Sequence, residues 1–138
     1  ALAWSIRAIN GFQGQKSFTT LRNLATAYDK LNRTSLADST MNEALLIATA
    51  NQYTAYGRQL ITQKRADKAM EIFLASKKRY GDMFGVNNGL MSGYSAKADF
   101  KNALKHAEKA MAQAPNDAAK KTLEGQIAKL KEGKDINQ

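Results

Sequence analysis

The stretch NNGLMSGYSAKADFKNALKHAEKA, residues 87–110, decides the fold class of this 138-residue chain. Mostly apolar residues recur in it at offsets of 0, 3, 4 and 7, which places each set on one face of a helix. The polar turn Lys97-Ala98-Asp99 separates the two sets. The stretch therefore predicts two helices joined by a tight turn. Their packed faces contain Asn87, Leu90, Met91 and Tyr94 in the first helix, and Phe100, Ala103, Leu104 and Ala107 in the second.

The same pattern returns along the chain at a period of about 34 residues, which is typical of helix-pair repeats. Ala103 lies one such period after Ala69, and the same shift places Leu60 on Tyr94. Ala37 precedes Ala69 by slightly less than one period. No alternating strand pattern or hairpin signal competes with this interpretation. The sequence therefore predicts an all-α chain of repeated helix pairs, in which the three alanines let paired helices cross closely.

Aromatic, small and proline residues also recur at fixed places within each unit. The third unit has the most complete set, which comprises Leu90, Tyr94, Phe100, Ala103, Ala110 and Pro115. This helix–turn–helix pattern resembles the tetratricopeptide repeat (TPR). The resemblance implies a right-handed α-α superhelix of about three and a half helix pairs with a C-terminal capping helix. The implied divisions of residues 1–138 are a half repeat at 1–14, repeats at 17–49, 50–83 and 84–116, a capping helix at 117–133 and a tail at 134–138.

The start of the chain predicts a further partner. The half repeat at 1–14 lacks its first helix, and its apolar side chains need a cover that upstream sequence or another chain would supply. A domain before Ala1 is the expected partner. Three segments are similar to the C-terminal region of a bacterial family in which a TPR-like array follows a β-rich domain of unknown function. They are Tyr56-Gly57-Arg58-Gln59-Leu60, Asn102-Ala103-Leu104-Lys105 and Glu132-Gly133-Lys134-Asp135-Ile136-Asn137. That resemblance implies a periplasmic or otherwise exported location, and it brings no known activity and no catalytic residues.

Composition excludes several classes of protein. The chain has no Cys, so it can form no disulfide framework and no Cys-based zinc site. It has one Pro in 138 residues, which suits long helices. No run of 18 apolar residues occurs, so the sequence predicts no membrane span.

The sequence offers no catalytic constellation. The one histidine, His106, has no nucleophile or orienting acid at helical spacing, and an exposed or half-buried helix position is the expected place for it. Phosphate-binding loops, dinucleotide fingerprints and zinc-protease motifs do not occur. We therefore expect neither an enzyme nor a bound metal or cofactor.

The residues beside the packed stripe of each first helix predict a binding surface. In a TPR array these helices line a concave groove, so the resemblance assigns that groove to Arg22, Thr26, Asp29, Asn51, Thr54, Arg58, Asn88, Ser92 and Ser95. The face would be polar and lightly cationic, which suits an extended peptide or protein segment better than an apolar ligand. The predicted function is a protein–protein interaction scaffold or an accessory domain of a larger protein.

Two features leave alternatives open. The formal net charge of +9 would also suit a basic helical platform for a polyanion such as nucleic acid or an anionic surface, but aromatic residues are not interleaved with the basic ones. Solvated basic faces are therefore the preferred interpretation, and nucleic acid is disfavoured as a partner. Gly85, Gly89 and Gly93 recur every four residues. They predict either close packing against the preceding helix pair or a smooth strip where a partner approaches.

Overall fold

A computed structural model describes residues 17–138, and every regular element within that range is an α-helix. This confirms the predicted all-α class. The helix predicted at the start of the chain and the half repeat at 1–14 lie outside the described residues. The seven helices of residues 17–138 are α1 (Phe18–Lys30), α2 (Thr34–Leu46), α3 (Ala50–Thr62), α4 (Ala66–Tyr80), α5 (Phe84–Ala96), α6 (Phe100–Gln113) and α7 (Asp117–Lys131).

Side-chain caps fix where three of these helices begin. The Ser17 hydroxyl accepts a hydrogen bond from the Thr20 amide at 3.1 Å, and the Asn116 side chain accepts one from the Ala119 amide at 2.8 Å. The Asp99 carboxylate does the same for the Asn102 amide. A first-turn amide has no partner within its own helix, so each cap stabilises its helix by about 1 kcal/mol.

The turns that end α1, α3 and α5 share one backbone conformation. Asn32, Lys64 and Ala98 each have a left-handed φ of about +60°. The following amide then donates to a carbonyl five residues earlier: Arg33 to Tyr28, Arg65 to Leu60 and Asp99 to Tyr94, at 2.8–2.9 Å. This is the Schellman arrangement, in which the turn satisfies carbonyls at the helix end. The residues of this turn recur at the spacings that the alanines show in the sequence.

The chain divides into two compact units, Ala1–Thr49 and Ala50–Gln138. In the first unit, α1 packs against α2. The side chains that these two helices bury include several from the predicted stripes, namely Leu21, Leu24, Ala25, Ala37, Met41 and Ala44.

The second unit contains α3 to α7. Helices α3 and α4 form one pair, α5 and α6 form the next, α5 packs on both members of the first pair, and α7 packs on α6. Ala69 and Ala103 are fully buried, as expected for small residues that let helices approach. Leu123 and Leu130 of α7 join Met91, Ala103, Ala107 and Ala110 in one apolar cluster.

Glycines of α3 and α5 surround the ring of Phe73, which projects from α4. A Cβ atom added at Gly89 would stand 2.8 Å from Phe73 Cδ1, and one added at Gly57 would overlap the ring edge. A Cβ at Gly93 would meet the same ring and the Met70 sulfur. Phe73 itself is 1% exposed. The glycines of α5 therefore pack closely against the preceding helix pair, which is one of the two roles that the sequence predicted for them.

We expect Gly57→Ala to destabilise the protein although alanine is the better helix former. Alanine gains about 1 kcal/mol in a helix interior, but overpacking a filled core costs about 1–3 kcal/mol. Gly125 of α7 is the matched control, because a Cβ added there meets no atom within 4 Å. Gly125→Ala should stabilise by about 0.4–1 kcal/mol. Urea unfolding of both variants checks the pair, and an equal gain in stability for the two would contradict the packing account.

Candidate functional site

The predicted groove residues of the first unit lie along α1. Arg22 is half-buried, whereas Thr26 and Asp29 are exposed. The Thr26 hydroxyl donates to the Arg22 carbonyl at 2.9 Å, a bond within the helix.

Two of the predicted groove residues line a cleft in the second unit. Arg58 of α3 and Asn88 of α5 meet there with side chains of α7. The cleft has a volume of about 190 Å³. Its full lining is Arg58, Phe84, Asn88, Ala119, Thr122, Leu123 and Gln126. The structure thus brings Arg58 and Asn88 together, and it adds Thr122 and Gln126, which the sequence did not single out.

Three other predicted groove residues are buried and use their hydroxyls within the chain. Thr54 donates to the Gly85 carbonyl at 2.8 Å and so ties α3 to α5. Ser92 Oγ accepts from Arg58 Nε at 3.3 Å. Ser95 Oγ donates to Asp135 Oδ1 at 2.8 Å. Asn51 is exposed, and its side-chain oxygen lies over Gly85. Whether these residues contact a partner stays a prediction.

Arg58 is the charged residue of the cleft. Burial lowers the pKa of its guanidinium below the ordinary value of an arginine. The group nevertheless stays protonated at neutral pH, because an arginine does not lose its proton in proteins. Its bond to Ser92 directs the side chain from α3 toward α5. The cleft therefore has a fixed positive charge next to the neutral polar groups of Asn88, Thr122 and Gln126.

The C-terminal tail folds back onto α5, and no pattern in the sequence predicts this. Gly133 has a left-handed φ of +70°, and the Lys134 amide donates to the Lys129 carbonyl at 2.9 Å. This turn redirects the chain toward α5. There the Ile136 amide donates to Ser95 Oγ at 2.9 Å, and the Asn137 side chain donates to the Ser92 carbonyl at 3.0 Å. The tail thus covers the polar face of α5 beyond Asn88.

His106 is buried at 6% exposure, not exposed or half-buried as its sequence context indicated. Its Nδ1 lies 2.9 Å from Asn87 Oδ1. The Asn87 amide nitrogen donates to both Asp82 and Gln113, so its oxygen is the acceptor and His106 Nδ1 has the proton. Tyr94 stacks on the imidazole with ring centroids 5.5 Å apart. These contacts join α5 and α6 and include no nucleophile.

Neither a metal site nor a membrane span is found among residues 17–138. No three side chains of the types that ligate metals are grouped there. None of the helices in that range is long and apolar enough to cross a bilayer. No known protein family, curated protein or solved structure matches the chain.

We expect His106 to make stability depend on pH near neutrality. Burial, with smaller contributions from Lys109, Lys77 and Lys105, lowers the pKa of its imidazole below 6.5, and Asp82 opposes the shift only in part. The unfolded chain then binds more protons than the folded one, so stability falls as the pH drops below about 6.5 and levels off below the folded pKa.

Urea unfolding between pH 7.5 and 5 measures this loss, which cannot exceed about 1.4 kcal/mol per pH unit. His106→Gln keeps a donor for Asn87 and should remove the dependence. The lowered carboxyl pKa values of Asp67, Asp82 and Asp99 act below pH 3.8 and so outside this window. A dependence that persists in His106→Gln would show that another group is responsible.

We expect Asp135→Ala to release the tail. Asp135 Oδ1 accepts from Ser95 Oγ, from the Asn137 amide and from the Asn137 side chain. Losing these bonds costs about 1–2 kcal/mol locally. The hydrogen-exchange rate of the Ile136 amide should therefore rise about 5–30-fold. Glu132→Ala is the charge-matched control, because Glu132 forms only a surface ion pair with Lys134. Equal exchange rates in the two variants would contradict the anchoring role of Asp135.

Proposed function

We propose that this chain is a TPR-like helical scaffold that binds an extended peptide or protein segment on a polar face. In the second unit the face belongs to α3 and α5, the first helices of its two pairs, and extends to α7. The observation that carries the proposal is the cleft in which Arg58 and Asn88 meet Thr122 and Gln126. The proposed role is binding rather than catalysis, and it uses no metal or cofactor.

Two local features support the TPR-like arrangement. The same left-handed turn recurs at Asn32, Lys64 and Ala98, so each predicted repeat turns between its helices in the same way. The small residues Ala69 and Ala103 occupy equivalent buried positions one repeat period apart. An upstream partner domain and an exported location remain part of the proposal through resemblance alone.

A polar helical face recognises an extended chain through side-chain hydrogen bonds to the peptide backbone. Asn88 and Gln126 each present an amide with both donors and acceptors. Such groups can pair with the N–H and C=O of any residue, so they give affinity without demanding one peptide sequence. Phe84 and Leu123 add apolar walls between them. This mixture of apolar walls and a few polar groups is typical of binding sites.

A basic platform for a polyanion is the second candidate. Lys77 at the end of α4 and both Lys105 and Lys109 of α6 lie close enough to His106 to lower its pKa. They therefore form one basic cluster from two helices. This cluster involves α4 and α6, whereas the cleft is lined by α3, the start of α5 and α7, so substitutions can separate the two candidates.

The test begins with an array of random ten-residue peptides probed with the whole 138-residue chain. Peptides that bind should shift the NMR signals of Arg58, Asn88 and Gln126. Arg58→Glu should then lower the affinity for these peptides by at least about tenfold, which corresponds to about 1.4 kcal/mol of binding free energy. Arg65→Glu is the control, since Arg65 is exposed and lies outside the cleft. Circular dichroism and urea unfolding verify that both variants fold.

An unchanged affinity in Arg58→Glu would overturn the groove assignment, and so would an array that yields no binding peptide. Heparin is titrated in parallel at about 50 and about 200 mM salt, a range over which phosphate-type contacts weaken steeply. Tight, strongly salt-dependent heparin binding that Lys105→Glu weakens would favour the polyanion platform instead.

A further inference from the structure

Most hydrogen-bond donors of Arg58 are unused in the described contacts. A guanidinium has five N–H donors, and the described contacts use one of them, Nε to Ser92 Oγ. Among residues 17–138, no carboxylate forms an ion pair with Arg58. A partly desolvated cation without a counterion is unfavourable, because burial removes hydration that no protein charge replaces. An anion that entered the cleft would remove this deficit.

The lining of the cleft fits an anion. None of its seven residues is acidic, so nothing in the lining repels a negative charge. Asn88 and Gln126 provide neutral amide donors beside the guanidinium, whereas the Thr122 hydroxyl donates to the Ala118 carbonyl within α7. A carboxylate matches this set well, because two parallel N–H groups of an arginine can bind its two oxygens at once.

The size of the cleft limits what can enter. Sites for drug-sized ligands usually measure about 300–1,000 Å³, whereas this cleft measures about 190 Å³. It is large enough for one short side chain, and a larger ligand would project into solvent. A single side chain of a longer segment is therefore the best match in volume.

The C-terminal tail covers the part of α5 next to the cleft. Ser92 and Ser95 are four and seven residues beyond Asn88, so they continue the same side of α5. There the Asp135 carboxylate accepts from Ser95, and Asn137 donates to the Ser92 carbonyl. Asp135 is followed by further residues, so the acid that this face already binds is a side chain within a segment.

We propose that the cleft binds the carboxylate of an aspartate or glutamate side chain that a partner segment inserts between α3, α5 and α7. The free N–H groups of Arg58 bind the two oxygens, and the amides of Asn88 and Gln126 add hydrogen bonds. This inference rests on the proposed function, and it specifies the chemistry of the residue at the centre of that site.

The experiment titrates the isotope-labelled full chain with N-acetyl-glutamic acid α-amide, whose one carboxylate is on the side chain. The side-chain signals of Arg58, Asn88 and Gln126 should shift saturably with a Kd in the millimolar range. N-acetyl-glutamine α-amide, which is neutral and of nearly equal size, should cause shifts at least about tenfold weaker. Equal shifts with the two compounds would overturn the proposal.

Two variants of Arg58 make the test specific. Arg58→Lys keeps the charge but loses the two parallel donors, so it should weaken the glutamate shifts severalfold. Arg58→Gln should abolish them, while Arg65→Gln should leave them unchanged. Both Arg58 variants are compared by their remaining amide signals, which report an intact fold. Glutamate shifts at Asn88 and Gln126 that survive in Arg58→Gln would also overturn the proposal.

The two proposals fail in different ways. A peptide from the array that binds at the cleft equally well after every Glu and Asp is changed to Gln and Asn overturns this inference and leaves the scaffold function standing. Peptides that bind only with a free C-terminus, and not when amidated, also overturn it, because the source would then be the chain end. Glutamate binding at the cleft without any peptide binding instead supports the anion site and overturns the scaffold function.

Discussion

The second unit depends on the ring of Phe73 fitting among glycines of two neighbouring helices. Helix α4 can approach α3 and α5 together only because Gly57, Gly89 and Gly93 leave room for the ring. Glycine is a poor helix residue by about 1 kcal/mol relative to alanine. Three glycines therefore lower the helix propensity of α3 and α5. Close packing of the fully buried Phe73 side chain offsets this loss.

That packing also determines where the cleft can form. With α5 held against α3 and α4, Thr54 of α3 reaches the Gly85 carbonyl, and Arg58 one turn later reaches Ser92. Both bonds cross from α3 to α5 and fix the two helices in register. Asn88 then stands beside Arg58, and α7 closes the third side through Leu123. The polar site thus depends on the apolar packing of the neighbouring glycines of α5.

The helices were predictable because their signal is local. Every apolar stripe repeats at helical spacing, and caps and turns act within a few residues, so the stretch at 87–110 and its shifted copies suffice to identify helix pairs. The close packing of the glycines was also accessible, since three poor helix formers in one helix need a reason. The pairing of Arg58 with Asn88 was predicted only in part, because the sequence placed both on one face but could not identify α7 as the third wall.

The missed features all depend on contacts between residues far apart in the chain. Ser95 and Asp135 are 40 residues apart, and a short tail has no periodicity that would reveal its docking site. His106 is buried through its bond to Asn87, 19 residues earlier, and its lysine neighbours suggested solvent instead. A sequence does not reveal which hydroxyls form hydrogen bonds between helices. Only the packing shows that the Thr54 hydroxyl donates to the Gly85 carbonyl of α5.

Ser92 connects the cleft to the part of α5 that the tail covers. Its hydroxyl holds Arg58, and its carbonyl accepts from Asn137 of the tail. The bond to Ser92 restrains Arg58 before any ligand arrives, and a free arginine side chain has about 2 kcal/mol of rotamer entropy to lose. Because part of that loss is already incurred on folding, the carboxylate that we propose would order less of the protein on binding. The internal hydrogen bond to Ser92 therefore restrains Arg58 while it uses only one of the guanidinium donors.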